Sequence, residues 1–125
     1  VSATLAVALG GALGSVGRYW ISVWSILWLG PAFPYGTIFI NVLGSFVIGL
    51  AGGLPGSDLW RHFLMVGVCG GFTTFSAFSL QTFAMARSEG FVPAAANVLL
   101  SLVLCLLAVT AGFLLAERIT GHTMH

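Results

Sequence analysis

The polar groups embedded in apolar stretches of this chain are few: Asn41, Thr73, Thr74, Ser76, Ser79, Gln81, Thr82, Asn97, Ser101 and Thr110. All are hydroxyls or amides, which donate hydrogen bonds without offering a fixed charge. Phe72, Phe75 and Phe78 are interleaved with them every third residue. A phenyl ring carries a positive edge and a negative face, so an edge can attract an anion. On a helix Phe75 and Phe78 stand about 60° apart, close enough to flank one path; rings in that register also serve as core or face lipid. Such a set suits partial dehydration of a small anion. Catalysis is not expected, because no Ser/His/Asp or Cys/His set can be assembled. A Walker loop is excluded because the chain has no lysine. Proton-coupled carriers need an ionisable relay in the membrane, whereas Asp58, Glu89 and Glu117 fall at turns or helix ends. Cys69 and Cys105 have no histidine at the same depth to complete a metal site, and neither a metal site nor a disulfide is expected.

The stretch Gly70–Gln81 concentrates this chemistry. Two glycines weaken a helix by about 1 kcal/mol each relative to alanine, and hydroxyls and rings follow them. Either the glycines serve close packing or the helix breaks here, near the middle of its span, as at many ion sites. A break presents carbonyls at the end of one half-helix and N–H groups at the start of the next. With two copies about a two-fold axis, carbonyls around Gly70 to Thr73 could cage one cation.

The elements that position these groups follow from composition. Of 125 residues 58% are hydrophobic and 6% charged, against about 25% charged in soluble domains. The chain is therefore read as an all-α integral membrane protein. No secretory signal is apparent. Four spans are expected, over about 3–26, 35–54, 63–85 and 93–116, as one transmembrane domain with the third helix broken near its middle. In the first, Ala6, Gly10, Gly14 and Arg18 form an i+4 ridge of small residues ending in a cation. Arg18 lies about 22 Å along from Ala3, where it either snorkels to headgroups or draws anions into a vestibule. Trp20, Trp24 and Trp28 read as an interfacial belt. In the second, Asn41, Ser45, Gly49 and Gly53 share a ridge. Asn41 makes an interhelical hydrogen bond or donates to a passing ion, and sequence does not separate these. Ser57 or Asp58 caps the next helix. In the fourth, Asn97, Ser101, Cys105, Ala108 and Gly112 share a face. Ile119 to His125 form a tail, with His122 and His125 read as solvated.

All four basic residues are arginines. If the helices alternate, Arg61 and Arg118 lie on one side and Arg18 and Arg87 on the other. Lys/Arg bias sets orientation; a balanced count predicts insertion both ways, and an antiparallel homodimer follows naturally.

Gly70-Gly71-Phe72-Thr73-Thr74-Phe75-Ser76-Ala77-Phe78-Ser79 resembles the motif of the Fluc fluoride channels, also called CrcB proteins. Gly17-Arg18-Tyr19 and Asn41-Val42-Leu43-Gly44 agree with that family's first and second helices. The resemblance implies a dual-topology, antiparallel homodimer in the inner (plasma) membrane of a bacterium, conducting fluoride passively and conferring fluoride resistance. It implies two pores per dimer, with Phe75 and Phe78 as lining rings and Asn41 as a pore amide. Thr74, Ser76, Ser79 and Ser101 would belong to the polar track, and Arg18 to the vestibule. The backbone carbonyls of Gly70 and Thr73 from both copies would hold a structural sodium ion. Ala77 stands where the motif often has threonine, and Gln81 where it often has glutamate. The alternative, a small dual-topology proton-coupled multidrug exporter, lacks the embedded carboxylate it would need.

Overall fold

The computed structural model describes residues 1–121, so His122 and His125 lie outside the described residues. Those residues form helices and short connections, with no strand among them. Helix α1 runs Ser2–Leu29 and α2 runs Tyr35–Gly53. A third rod, Asp58–Ser88, is assembled from α3 (Asp58–Arg61), a π-helical stretch (His62–Cys69), α4 (Gly70–Phe72) and α5 (Phe75–Ser88). Helix α6, Phe91–Thr120, completes the bundle. The first, third and fourth rods extend past the expected spans of 3–26, 63–85 and 93–116, whereas α2 matches its span to within one residue. Ser57, not Asp58, makes the α3 cap: its Oγ accepts from the Trp60 N–H at 3.2 Å.

Three rods, α2, Asp58–Ser88 and α6, are long and apolar enough to cross a membrane. Helix α1 has 28 residues, but glycines, serines and Arg18 dilute its hydropathy.

Most large apolar side chains point outward, Ile38, Ile40 and Met85 being buried exceptions, and small or polar ones line the packed faces. Leu5, Leu9, Leu13, Leu99, Leu106 and Leu107 are exposed, whereas Gly14, Gly49, Asn97, Ser101 and Gly112 are buried. Lipid tails are as apolar as leucine, so burying leucine gains little there, and close backbone contact drives packing instead. The α2–α6 seam shows this. A Cβ on Gly49 would run into the Val109 carbonyl, and one on Gly112 into the Phe46 carbonyl. Only glycine on each side lets these helices meet.

Candidate functional site

The third rod leaves helical geometry at Thr73 (φ −80°, ψ 156°) and Thr74 (φ −149°, ψ 119°), whereas Gly70 remains helical at φ −63°, ψ −38°. The break thus falls just after the glycine pair. Gly71 serves packing, since a Cβ there would meet the Gly11 carbonyl of α1. Gly70 has no such neighbour, only the Met65 carbonyl at 3.9 Å from a Cβ. Thr73 and Thr74 suit the extended bend because β-branched side chains fit extended backbone.

Asn41 holds the break open. Its Oδ1 accepts from the Thr74 N–H at 2.8 Å, and its Nδ2 donates to the Thr74 carbonyl at 3.1 Å. The N–H that would close a regular turn on the Gly70 carbonyl is thereby diverted to α2. Thr74 Oγ1 accepts from the Ala77 N–H at 3.0 Å, capping α5. Thr73 Oγ1 donates to the Cys69 carbonyl at 2.8 Å. Every freed group near the bend that carries one of these bonds is satisfied within the chain, as an apolar surround requires.

Beside the bend lies a cleft of about 330 Å³, lined by Asn41, Gly70, Thr73, Thr74, Phe75, Phe78 and Ser101, with Gly44, Ser45, Ile48, Cys69, Leu102 and Cys105. No charged side chain lines it. The Phe75 and Phe78 rings are 5.6 Å apart and tilted by 45°. Phe75 is 77% exposed, while Phe72 turns away to lie near Gly17 and Gly44. An amide nitrogen carries two hydrogens, so Asn41 can bond Thr74 and still offer one N–H to the cleft. The two readings of Asn41 are compatible.

Three residues singled out by sequence do not line the cleft. Arg18 Nε donates to the Gly71 carbonyl at 3.3 Å, tying α1 to the helix just before the bend. Ser79 Oγ donates to the Phe75 carbonyl at 2.9 Å, and Ser76 Oγ lies 3.3 Å from Thr74 Oγ1. Behind the cleft, fully buried Asn97 donates to Thr82 Oγ1 at 2.8 Å, and Thr82 donates to the Phe78 carbonyl at 2.7 Å. Ser101 Oγ lies 3.5 Å from Asn97 Oδ1. This relay pins α5 to α6 and fixes the height of Phe78. Ile48 and Leu102 line the cleft without any polar signal that could have marked them.

Gly70 and Thr73, whose backbone carbonyls were expected to hold a cation, are both among the residues lining the cleft. Oxygen-only donors suit a hard cation such as sodium. Two carbonyls are an incomplete set, and a second copy would double it.

An all-helical, multi-pass integral membrane protein is what these helices and this cleft define. Residues 5–113 match the family described as CrcB-like protein, Camphor Resistance (CrcB). The chain is 52% identical over 115 residues to a protein of Rhodospirillum rubrum named fluoride-specific ion channel FluC, covering 86% of this chain and 89% of that one. Proteins of the same name from Methylobacterium radiotolerans and Phenylobacterium zucineum are 48% and 46% identical, over 92% and 95% of this chain and 85% and 98% of theirs. The chain belongs to the CrcB family. That family is one of channels, not an enzyme class.

Proposed function

We propose that this chain is a fluoride-selective channel that lets fluoride leave a bacterial cell passively across the inner membrane and so confers fluoride resistance. The observation that carries the reading is the cleft itself: Asn41, Phe75 and Phe78 meet beside a helix break with no charged side chain among the lining residues. Fluoride would shed part of its water there, replaced by the Asn41 N–H, the ring edges and the first N–H groups of α5, whose helix dipole favours an anion. Larger halides would not fit between rings whose height is set by the Asn97–Thr82–Phe78 relay. The names of the relatives support the choice of ion.

The same reading makes α1 a fourth span and the working unit an antiparallel, dual-topology homodimer. Phe75 is a large ring left open at the cleft, and Gly70 has space where a side chain would be. Both are what a second copy would cover. Gly70 and Thr73 of the two copies would hold the sodium ion, which supplies a fixed positive centre at the interface. An exporter driven by protons finds no support, since Asp58 opens α3, Glu89 follows α5 and Glu117 lies in the last turns of α6.

Halide efflux from liposomes containing the purified chain is the test. Fluoride is expected to leave rapidly and chloride to be retained. Chloride leaving as readily as fluoride would end the selectivity claim, and no efflux without added partners would end the channel claim.

A further inference from the structure

A broken helix strands acceptors as well as donors, and in an apolar surround each must be met. In an unbroken rod the Gly71 carbonyl would accept from the Phe75 N–H. Thr73 (ψ 156°) and Thr74 (φ −149°, ψ 119°) lie between them in extended geometry, so that N–H is turned away. The carbonyl is met from α1 instead. Arg18 Nε donates to it at 3.3 Å, and Ser15 Oγ donates at 3.5 Å. Gly71 lets α1 come this near, since a Cβ there would meet the Gly11 carbonyl at 2.6 Å.

The break is thus braced from two sides. Asn41 of α2 takes the N–H and the carbonyl of Thr74, and Arg18 of α1 takes the carbonyl that the bend leaves behind. Left bare, the Gly71 carbonyl would compete for a donor at a cost that favours closing the turn on Phe75. Closing it requires Thr73 and Thr74 to turn helical, which pulls Thr74 away from Asn41 and moves the Phe75 ring.

The donating atom is informative. It is Nε, within the stem of the side chain, and Arg18 is half-buried and does not line the cleft. Glutamine carries Nε2 as many bonds from Cα as arginine carries Nε, but has no charge. Lysine has a carbon at that point and its charge one bond further on. Bond and charge at this position are therefore separable by substitution.

We propose that Arg18 is a positioning residue of the channel, which acts through its Nε bond to the Gly71 carbonyl and not through its charge. By occupying that carbonyl it keeps the break open, the Phe75 N–H free and the Phe75 ring at the cleft. The inference rests on the fluoride-channel reading and names what regulates the geometry of that site.

The test compares wild type with Arg18→Gln, Arg18→Lys and Arg18→Met in two measurements: fluoride efflux from liposomes, and amide hydrogen exchange over residues 70–81 by mass spectrometry. Arg18→Gln is expected to keep at least about a third of the wild-type flux, and Arg18→Lys and Arg18→Met to lose at least about tenfold, the effect of one charge-assisted hydrogen bond. In exchange, Arg18→Gln is expected to follow wild type, whereas the other two slow the Phe75 amide at least about fivefold as the turn closes. Flux or exchange in Arg18→Gln no nearer to wild type than in Arg18→Lys overturns the proposal, and Arg18→Lys outperforming Arg18→Gln assigns the role to charge instead. Where Arg18→Met fails to fold, the other two variants still decide. Wild type that does not conduct fluoride would strike the channel reading alone, because the exchange comparison needs no flux.

Discussion

Asn41 and Phe78 both border the cleft, yet they answer to different physics. Asn41 satisfies the N–H and the carbonyl of Thr74 from a neighbouring helix. Leucine at that position would leave both groups unpaired in an apolar setting, at a cost of about 1–3 kcal/mol. Asn41→Leu is therefore expected to lower thermal stability in detergent and to abolish fluoride flux together. Phe78 contributes a ring edge rather than a structural hydrogen bond, and its backbone carbonyl, not its ring, receives Thr82. Phe78→Ile, like Phe75→Ile, is expected to abolish flux while the proposed dimer elutes unchanged on size-exclusion chromatography. Undiminished flux in the two phenylalanine variants would remove the ring-edge argument; an Asn41→Leu protein as stable as wild type would remove the bracing role.

At the scale of elements, the third rod is the unusual one. It carries a π-helical stretch and then a two-residue bend, and such departures from α geometry occur often at functional sites. The bend depends on rigid neighbours. Helix α2 supplies Asn41, α1 presses on Gly71, and α6 anchors α5 through Asn97. Glycines at the seams decide how near these helices come, and they are not equivalent. Gly112 has the Phe46 carbonyl where a Cβ would go, whereas Gly11 has nothing within 4 Å. Alanine raises helix propensity at both sites by the same amount, so packing alone should separate them. Gly112→Ala is expected to destabilise by about 1–3 kcal/mol, and Gly11→Ala to be neutral or slightly stabilising, in thermal unfolding followed by circular dichroism. Equal effects at the two positions would argue against the tight α2–α6 seam.

The whole molecule has too thin a bundle to enclose a pathway alone. Phe75 is mostly exposed and the cleft is open along one side of the single chain, which is consistent with a second copy closing it. Three arginines sit at rod ends, Arg61 beside the start of the third rod, Arg118 near the end of α6 and Arg87 at the end of α5, whereas Arg18 lies within α1, well before its end at Leu29. If the rods alternate across the membrane, the arginines divide two and two, and the proposed dual topology then follows from the absence of a charge bias. Cysteine-accessibility or epitope tagging of one terminus is expected to find both orientations in one membrane. A single uniform orientation would exclude the antiparallel pair.

Much of this was legible in one dimension. Composition and the spacing of glycines, hydroxyls and rings determine an all-helical membrane protein, the helix faces that carry polar groups and the stretch where the third helix fails, because those properties follow from local periodicity and solvent. The family motif within Gly70–Ser79 narrows the reading to one class of channel. Tertiary structure decided which local weakness became the break. Gly70 and Gly71 are the weaker helix formers, but the bend is at Thr73–Thr74 because Asn41, distant in sequence, offers Thr74 a donor and an acceptor at the right height. It also decided that Arg18 binds a carbonyl, that Ile48 and Leu102 share the lining with Asn41, and that Ser22, Thr37 and Gln81 enclose one cavity. Each of these depends on the rotation and depth of one helix against another, which no periodicity within a single helix encodes.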